Sequence, residues 1–205
     1  MNVAVFASGR GSNLNAIIEA IRKGFLPAHL SLVVSNNASA GALELARSHN
    51  IPAVRIRQND FSSEEAFSEE LLSCLARHEV EFIALAGYMK KIPPQIIGRF
   101  RNKITNIHPA LLPAFGGPGM YGMHVHEAVL RAGVKITGVT VHLVDEEYDH
   151  GPIVLQRPVD VAPYDDAVSL AARVQAVEHE VYPLVLKAFA EGRVTVKGAR
   201  AWIEP

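Results

Sequence analysis

Three times in its first 77 residues the chain sets a short apolar run ahead of a segment with helical periodicity, and this alternation restricts the fold more than any other feature. Asn2–Ala7 (NVAVFA) precedes Leu14, Ile17, Ile18 and Ile21; Leu30–Ser35 precedes Gly41–His49; Ala53–Ile56 precedes Ser62–Arg77. A fourth run, Phe82–Ala86, and a fifth, Ile104–His108, continue the series, with a brief helix at Gln95–Arg99 between them. Short β-rich runs without polar alternation suit strands buried on both faces. Strands alternating with helices build a mostly parallel open sheet flanked by helices. Toward the C-terminus the pattern changes to antiparallel strands. Lys135–Val144 and Ile153–Val159 form a hairpin-like pair, a long apolar periodicity fills Asp166–Glu191, and Arg193–Lys197 and Arg200–Ile203 make a last short pair. Pro183 is placed to kink or divide that long helix.

No Ser/Gly linker, composition shift or internal repeat marks a boundary, so residues 1–205 are expected to form one domain. The net charge of −1 argues against a broad nucleic-acid footprint, and an anionic ligand must be held by local geometry. Cys74 is the only cysteine, which rules out an intrachain disulfide and a cysteine-rich metal site. No apolar run approaches the roughly 20 residues of a membrane span, and the chain enters a strand at once with no basic leader. The expectation is a cytoplasmic protein that does not engage membranes.

The first strand ends in Ser8-Gly9-Arg10-Gly11-Ser12-Asn13 and a helix follows. Glycines let backbone approach a ligand, and a helix start offers N–H groups and the positive end of a dipole to an anion. Leu14 stands where a dinucleotide fingerprint has its third glycine, and the lysine of a nucleotide P-loop is missing. The turn is either a phosphate site or a plain tight turn capped by Ser12.

In Asn106-Ile107-His108-Pro109-Ala110-Leu111-Leu112-Pro113, an amide and an imidazole sit two residues apart. On a strand both side chains share one face, and Pro109 keeps His108 out of the α conformation. Open α/β sheets place reacting groups at such strand ends. A glycine-rich loop, 114–122, follows and is expected to be mobile. Thr140 and His142 share a face of a later strand, and Asp149 lies in the acidic loop Asp145–Pro152. An imidazole beside a carboxylate has its pKa raised, which suits proton transfer, and an amide donor can hold a developing oxyanion. No serine or cysteine occupies a nucleophile elbow, so the set suits direct attack by an amine on a carbonyl-level carbon. Among nine histidines, His124 and His126 are two apart, about 200° around a helix, and the zinc-protease spacing is lacking. No metal is expected there.

These motifs resemble a known family. Ser8-Gly9-x-Gly11-Ser12-Asn13-Leu14, Leu85-Ala86-Gly87-Tyr88-Met89, Asn106 to Pro113, Asp149-x-Gly151-Pro152 with Gln156, and Ala171-Ala172-Arg173-Val174-Gln175-x-x-Glu178-His179-x-x-Tyr182-Pro183 are similar to the phosphoribosylglycinamide formyltransferases of purine biosynthesis. The Asn-x-His-Pro…Asp set is common to folate-dependent formyltransferases. The resemblance implies a Rossmann-like fold, with residues of about 1–100 as a ribotide phosphate-binding half and about 101–205 as a catalytic and folate half. It implies formyl transfer from 10-formyltetrahydrofolate to the amine of 5'-phosphoribosylglycinamide, without a metal, in a monomer or homodimer. Gly11, Ser12 and Asn13 would hold the phosphate and Glu178 the ribotide. Met89, Lys90, Lys91 and Ile92, with Asp145, Glu146, Glu147, Tyr148 and Asn106, would line the folate pocket. His108 would act protonated, Asn106 would hold the oxyanion, and Asp149 would sustain the charge and relay protons. Thr140 and His142 would support them from behind.

Three positions depart from the resemblance. Glu64 stands where some relatives bring an arginine to the folate tail, the 116–122 loop is longer than in some relatives, and His150 takes a glycine's place beside Asp149, where it is expected to point to solvent. Methionyl-tRNA formyltransferases add a C-terminal RNA-binding domain and formyltetrahydrofolate hydrolases an N-terminal regulatory one; neither extension is expected in this chain.

Overall fold

Strand β1 (Asn2–Phe6) has no solvent exposure from Val3 to Phe6, the condition of a strand flanked on both edges and covered on both faces. The structure, a computed structural model, describes residues Met1–Pro205 and divides into two compact units, Met1–Thr105 and Asn106–Pro205. In the first unit, helix α1 (Ser12–Arg22) leads to β2 (His29–Ser35), α2 (Gly41–Ser48), β3 (Ala53–Arg55), α3 (Glu64–Arg77), β4 (Phe82–Leu85) and α4 (Pro94–Arg99). β1 pairs in parallel with both β2 and β4, and β2 takes β3 on its other edge. The chain therefore leaves β1 toward one side of the sheet and returns on the other, which makes the C-terminal ends of β1 and β4 a topological switch point. α3 begins where Ser63 Oγ accepts from the Ala66 N–H at 3.2 Å. A 3-10 turn at Gln58–Asp60, which periodicity did not announce, is held by an Arg55–Asp60 ion pair at 2.6 Å.

β5 (Ile104–His108) spans the division between the units. In the second unit, α5 (Met123–Ala132), β6 (Ile136–Leu143), β7 (Ile153–Asp160), α6 (Ala167–Ala190), β8 (Val194–Lys197) and β9 (Arg200–Ile203) follow. The seven-stranded sheet has the order β3-β2-β1-β4-β5-β6-β7, and β8 and β9 form a separate pair. β6 and β7 run antiparallel in a register that sets Thr140 opposite Gln156. α6 is one uninterrupted helix of 24 residues that carries Pro183 inside it. The proline forfeits one helical hydrogen bond, but Val181, Tyr182, Val185 and Leu186 around it are buried, and packing of that face holds the helix together. Asp166 and Ser169 cap its start reciprocally.

Candidate active site

At the switch point of the first unit, Ser8 ties three strand ends together. Its N–H donates to Gly87 O at 3.0 Å, its hydroxyl donates to Asn36 Oδ1 at 2.5 Å, and it accepts from the Met89 N–H at 2.9 Å. Tyr88 packs edge-on against Phe6, and burial pushes its phenol up to about 12. Gly11 is the N-cap of α1, with φ of 87°, and Ser12 is the first residue of the helix. A Cβ at Gly11 would lie 3.0 Å from Ala42 Cα, so glycine is required both by the left-handed backbone and by the close approach of α2. Asn13 is buried, Met89, Lys90 and Lys91 are exposed, and Ile92 is buried.

In the second unit three groups meet. His108 Nδ1 lies 3.6 Å from Asp149 Oδ2, and Asn106 Nδ2 lies 3.4 Å from Asp149 Oδ1. Asn106 and His108 thus do share a face of β5, and Asp149 reaches both. Asp149 adopts a left-handed φ of 53°, a conformation that aspartate tolerates better than most residues and that turns its carboxylate toward the β5 end. His142 stands closer than the supporting position expected of it. Its Nε2 lies 3.2 Å from Asn106 Nδ2 and 3.6 Å from Asp149 Oδ1, and its Nδ1 lies 2.9 Å from Leu143 O. Thr140 stands one step back. Its hydroxyl donates to Ala110 O at 2.6 Å and accepts from the Leu112 N–H at 3.1 Å and from Gln156 Nε2 at 3.0 Å. Gln156 Nε2 also donates to Leu112 O at 2.9 Å. The cross-strand pair Thr140–Gln156 therefore anchors the segment leaving β5.

Two backbone groups of the glycine-rich loop complete the site. His108 Nε2 donates to Phe115 O at 2.8 Å, and the Gly117 N–H donates to Asp149 Oδ2 at 2.9 Å. The loop expected to be mobile is thus bonded to both titratable groups. No side-chain pattern could have announced these contacts, because backbone atoms make them. A Cβ on Gly116 would press against Leu112 and Asp149, which explains a glycine there.

The electrostatics correct one expectation. Burial pushes the His108 pKa down, the Asp149 charge and the Phe115 carbonyl push it up, His142 lowers it again, and the balance is below the ordinary 6.5. Sequence reasoning weighed the carboxylate and could not weigh the burial. Burial also raises Asp149, but His142, His108 and the Gly117 N–H outweigh it and hold the carboxyl below its ordinary value. Asp149 is therefore ionised at neutral pH.

The remaining expected residues are distributed as follows. Asp145 caps its own loop, accepting from the Glu147 N–H at 2.9 Å and pairing with His150 Nδ1 at 2.8 Å. His150 is solvent-exposed, as expected, yet tethered to Asp145, which raises its pKa. Glu146, Glu147 and Tyr148 are exposed, and Glu178 is buried on α6. Of the two neighbouring histidines, His124 is exposed beside Glu127, whereas His126 is buried in α5 with Nδ1 lacking a hydrogen-bond partner. No group of three His, Cys, Asp or Glu side chains could hold a metal ion, and no helix is long and apolar enough to cross a membrane.

An imidazole and an ionised carboxylate thus meet at the strand ends of a mostly parallel α/β sheet. The chain belongs to the formyl transferase family, which matches residues 1–186. Among its relatives, the chloroplastic phosphoribosylglycinamide formyltransferase of Vigna unguiculata is 44% identical over 192 residues, covering 94% of this chain and 62% of that protein. The chain thus spans less than two thirds of that relative's length. The phosphoribosylglycinamide formyltransferase of Haemophilus influenzae is 39% identical over 202 residues, covering 98% of this chain and 93% of that protein. The solved structure of glycinamide ribonucleotide transformylase 1 from Symbiobacterium toebii superposes with a TM-score of 0.94 at 38% identity, covering 100% of this chain and 94% of that one.

Proposed function

We propose that this chain transfers the formyl group of 10-formyltetrahydrofolate to the amine of 5'-phosphoribosylglycinamide. The observation that carries this is the His108 Nδ1–Asp149 Oδ2 approach of 3.6 Å, made at the end of β5 with Asn106 beside it. Phe115 O accepts a hydrogen bond from Nε2–H, so in the neutral ring Nδ1 carries the lone pair, and it faces an ionised carboxylate. The amine attacks the formyl carbon, and a C–N bond forms as the carbonyl becomes an oxyanion. The proton lost by the amine passes to His108 Nδ1, where Asp149 stabilises the imidazolium. The charged ring stabilises the oxyanion and then returns the proton to N10 of the folate as the C–N10 bond breaks. A ring held neutral by burial suits this cycle better than one protonated from the start.

In the first unit Gly11, Ser12 and Asn13 would hold the ribotide phosphate, supported by the start of α1 directly after the left-handed Gly11. Met89, Lys90, Lys91 and Ile92, together with the loop Asp145–Tyr148, would meet the folate, and Glu178 the ribotide. The test is the absorbance change of 10-formyltetrahydrofolate with and without the ribotide. Loss of the formyl group only when ribotide is added is the expected result; loss without it identifies a hydrolase and overturns the proposal.

A further inference from the structure

β1 and β4 go on pairing past their ends, and the way this pairing stops bears on the residues that follow β4. The Ala86 N–H donates to Phe6 O at 2.8 Å and the Ser8 N–H to Gly87 O at 3.0 Å. A parallel ladder would next join the chain beyond Gly87 to the Ser8 carbonyl. That carbonyl accepts from Asn37 Nδ2 at 3.3 Å instead, and the Met89 N–H donates to Ser8 Oγ at 2.9 Å. Gly87, with φ of 75°, turns the chain off the strand line at this point. A backbone N–H can only donate, so Ser8 Oγ accepts from Met89 whichever partner takes its own proton. The contact with Asn36 Oδ1 at 2.5 Å holds the serine side chain in place from the other side.

We infer that Ser8 is a positioning residue for the folate, and that its hydroxyl sets where Met89 to Ile92 stand above the sheet. This rests on the proposed function, in which that stretch meets the folate. Met89, Lys90 and Lys91 are exposed, and β4, whose ladder would otherwise fix their backbone, ends at Leu85. Tyr88 packs against Phe6 and Ile92 is buried, so apolar contact holds the two ends of the segment, and the Ser8 hydroxyl fixes its first peptide. The adjoining phosphate turn does not use that hydroxyl. Backbone atoms hold it: Gly9 O accepts from the Ala42 N–H at 3.1 Å, and Ser8 O accepts from Asn37 Nδ2. One residue thus serves the turn with its main chain and the folate wall with its side chain. Removing the hydroxyl loosens the folate and spares the ribotide.

The first test needs no substrate. In protein labelled with nitrogen-15 methionine, the Met89 amide, assigned by its absence in Met89→Leu, should exchange its hydrogen at least about tenfold faster in Ser8→Ala than in the unmutated chain. Unchanged exchange overturns the inference. The second test uses tetrahydrofolate, which binds without turnover. By calorimetry, Ser8→Ala should raise its Kd about tenfold, the scale of one hydrogen bond, and leave the Kd for ribotide within about threefold. Ser8→Thr, which keeps the hydroxyl, should hold tetrahydrofolate within about threefold of the unmutated Kd. In steady state the KM for 10-formyltetrahydrofolate should rise by the same factor in Ser8→Ala while kcat stays within about threefold, as expected of binding common to ground and transition states. A fall in kcat at unchanged KM, an equal loss of ribotide binding, or a loss in Ser8→Thr as large as in Ser8→Ala overturns the inference. Tetrahydrofolate binding that weakens in Ser8→Ala, in a chain that transfers no formyl group, overturns the proposed function and leaves the positioning role standing.

Discussion

His108 Nδ1 and Asp149 Oδ2 approach to 3.6 Å, and yet the imidazole is easier to deprotonate than an ordinary histidine. The carboxylate's attraction is present, but the desolvation of a ring that is 3% exposed outweighs it. A proton on Nδ1 is attracted by Asp149 and disfavoured by burial, and the balance lies below the ordinary histidine value. On the proposed function, the pair would take a proton during reaction and return it.

Replacement of His108 by alanine removes the borrower. Steady-state assays should show kcat reduced by about 10²- to 10⁴-fold, the usual contribution of a positioned acid–base group. Turnover near the unmutated rate would refute the assignment.

Asp149→Asn should move the pH profile in a definite direction. Asp149 raises the His108 pKa, so removing its charge lowers that value. The acid limb of kcat/KM, which the unmutated enzyme should show below about 6.5, should move to still lower pH while the maximum falls. A limb that moves up, or stays, contradicts the coupling.

Asn13→Leu separates the two proposed ligands. The side chain is buried at the start of α1. The KM for ribotide should rise by at least about tenfold, a loss of the size expected when one hydrogen bond to a charged group is removed, with the KM for folate nearly unchanged. Equal losses for both would remove the phosphate assignment.

Stability should fall on mild acidification, and His108 should be one cause. Its folded pKa lies below the unfolded value of about 6.5, so the unfolded chain binds the proton more readily. Native stability is therefore highest above pH 6.5 and declines as pH falls through it. Urea unfolding at pH 7.5 and pH 5.5 should show a smaller decline in His108→Gln than in the unmutated protein. Asp149, whose pKa is depressed, adds stability above its unfolded value of 3.8 that is lost at lower pH, outside this interval.

Gly138 lies on β6 directly in front of the Arg157 carbonyl and the Leu111 side chain, and a Cβ would strike both. Because the carbonyl belongs to the β6–β7 ladder, it cannot yield without loss of register. Gly138→Ala should cost about 1–3 kcal/mol, read as a lower urea midpoint at unchanged slope. A midpoint equal to that of the unmutated protein would show that the strand pair adjusts freely.

The sequence by itself determined the sheet, because strand and helix periods are local, and short β-rich apolar runs alternating with helical segments suit strands buried on both faces. It placed β5 at Ile104–His108, set Asn106 and His108 on one face, and set Thr140 and His142 on another strand. It left Pro183 ambiguous, since whether a proline breaks a helix depends on how much apolar surface the rest of α6 buries. The tertiary structure alone decided what those side chains do to one another. Burial of His108 reversed the sign of its pKa shift, the backbone of Phe115 and Gly117 reached the two titratable groups, and His142 came within 3.2 Å of the Asn106 amide and 3.6 Å of Asp149. Desolvation and hydrogen-bond direction depend on atoms brought together from distant parts of the chain, and residue type and spacing carry neither.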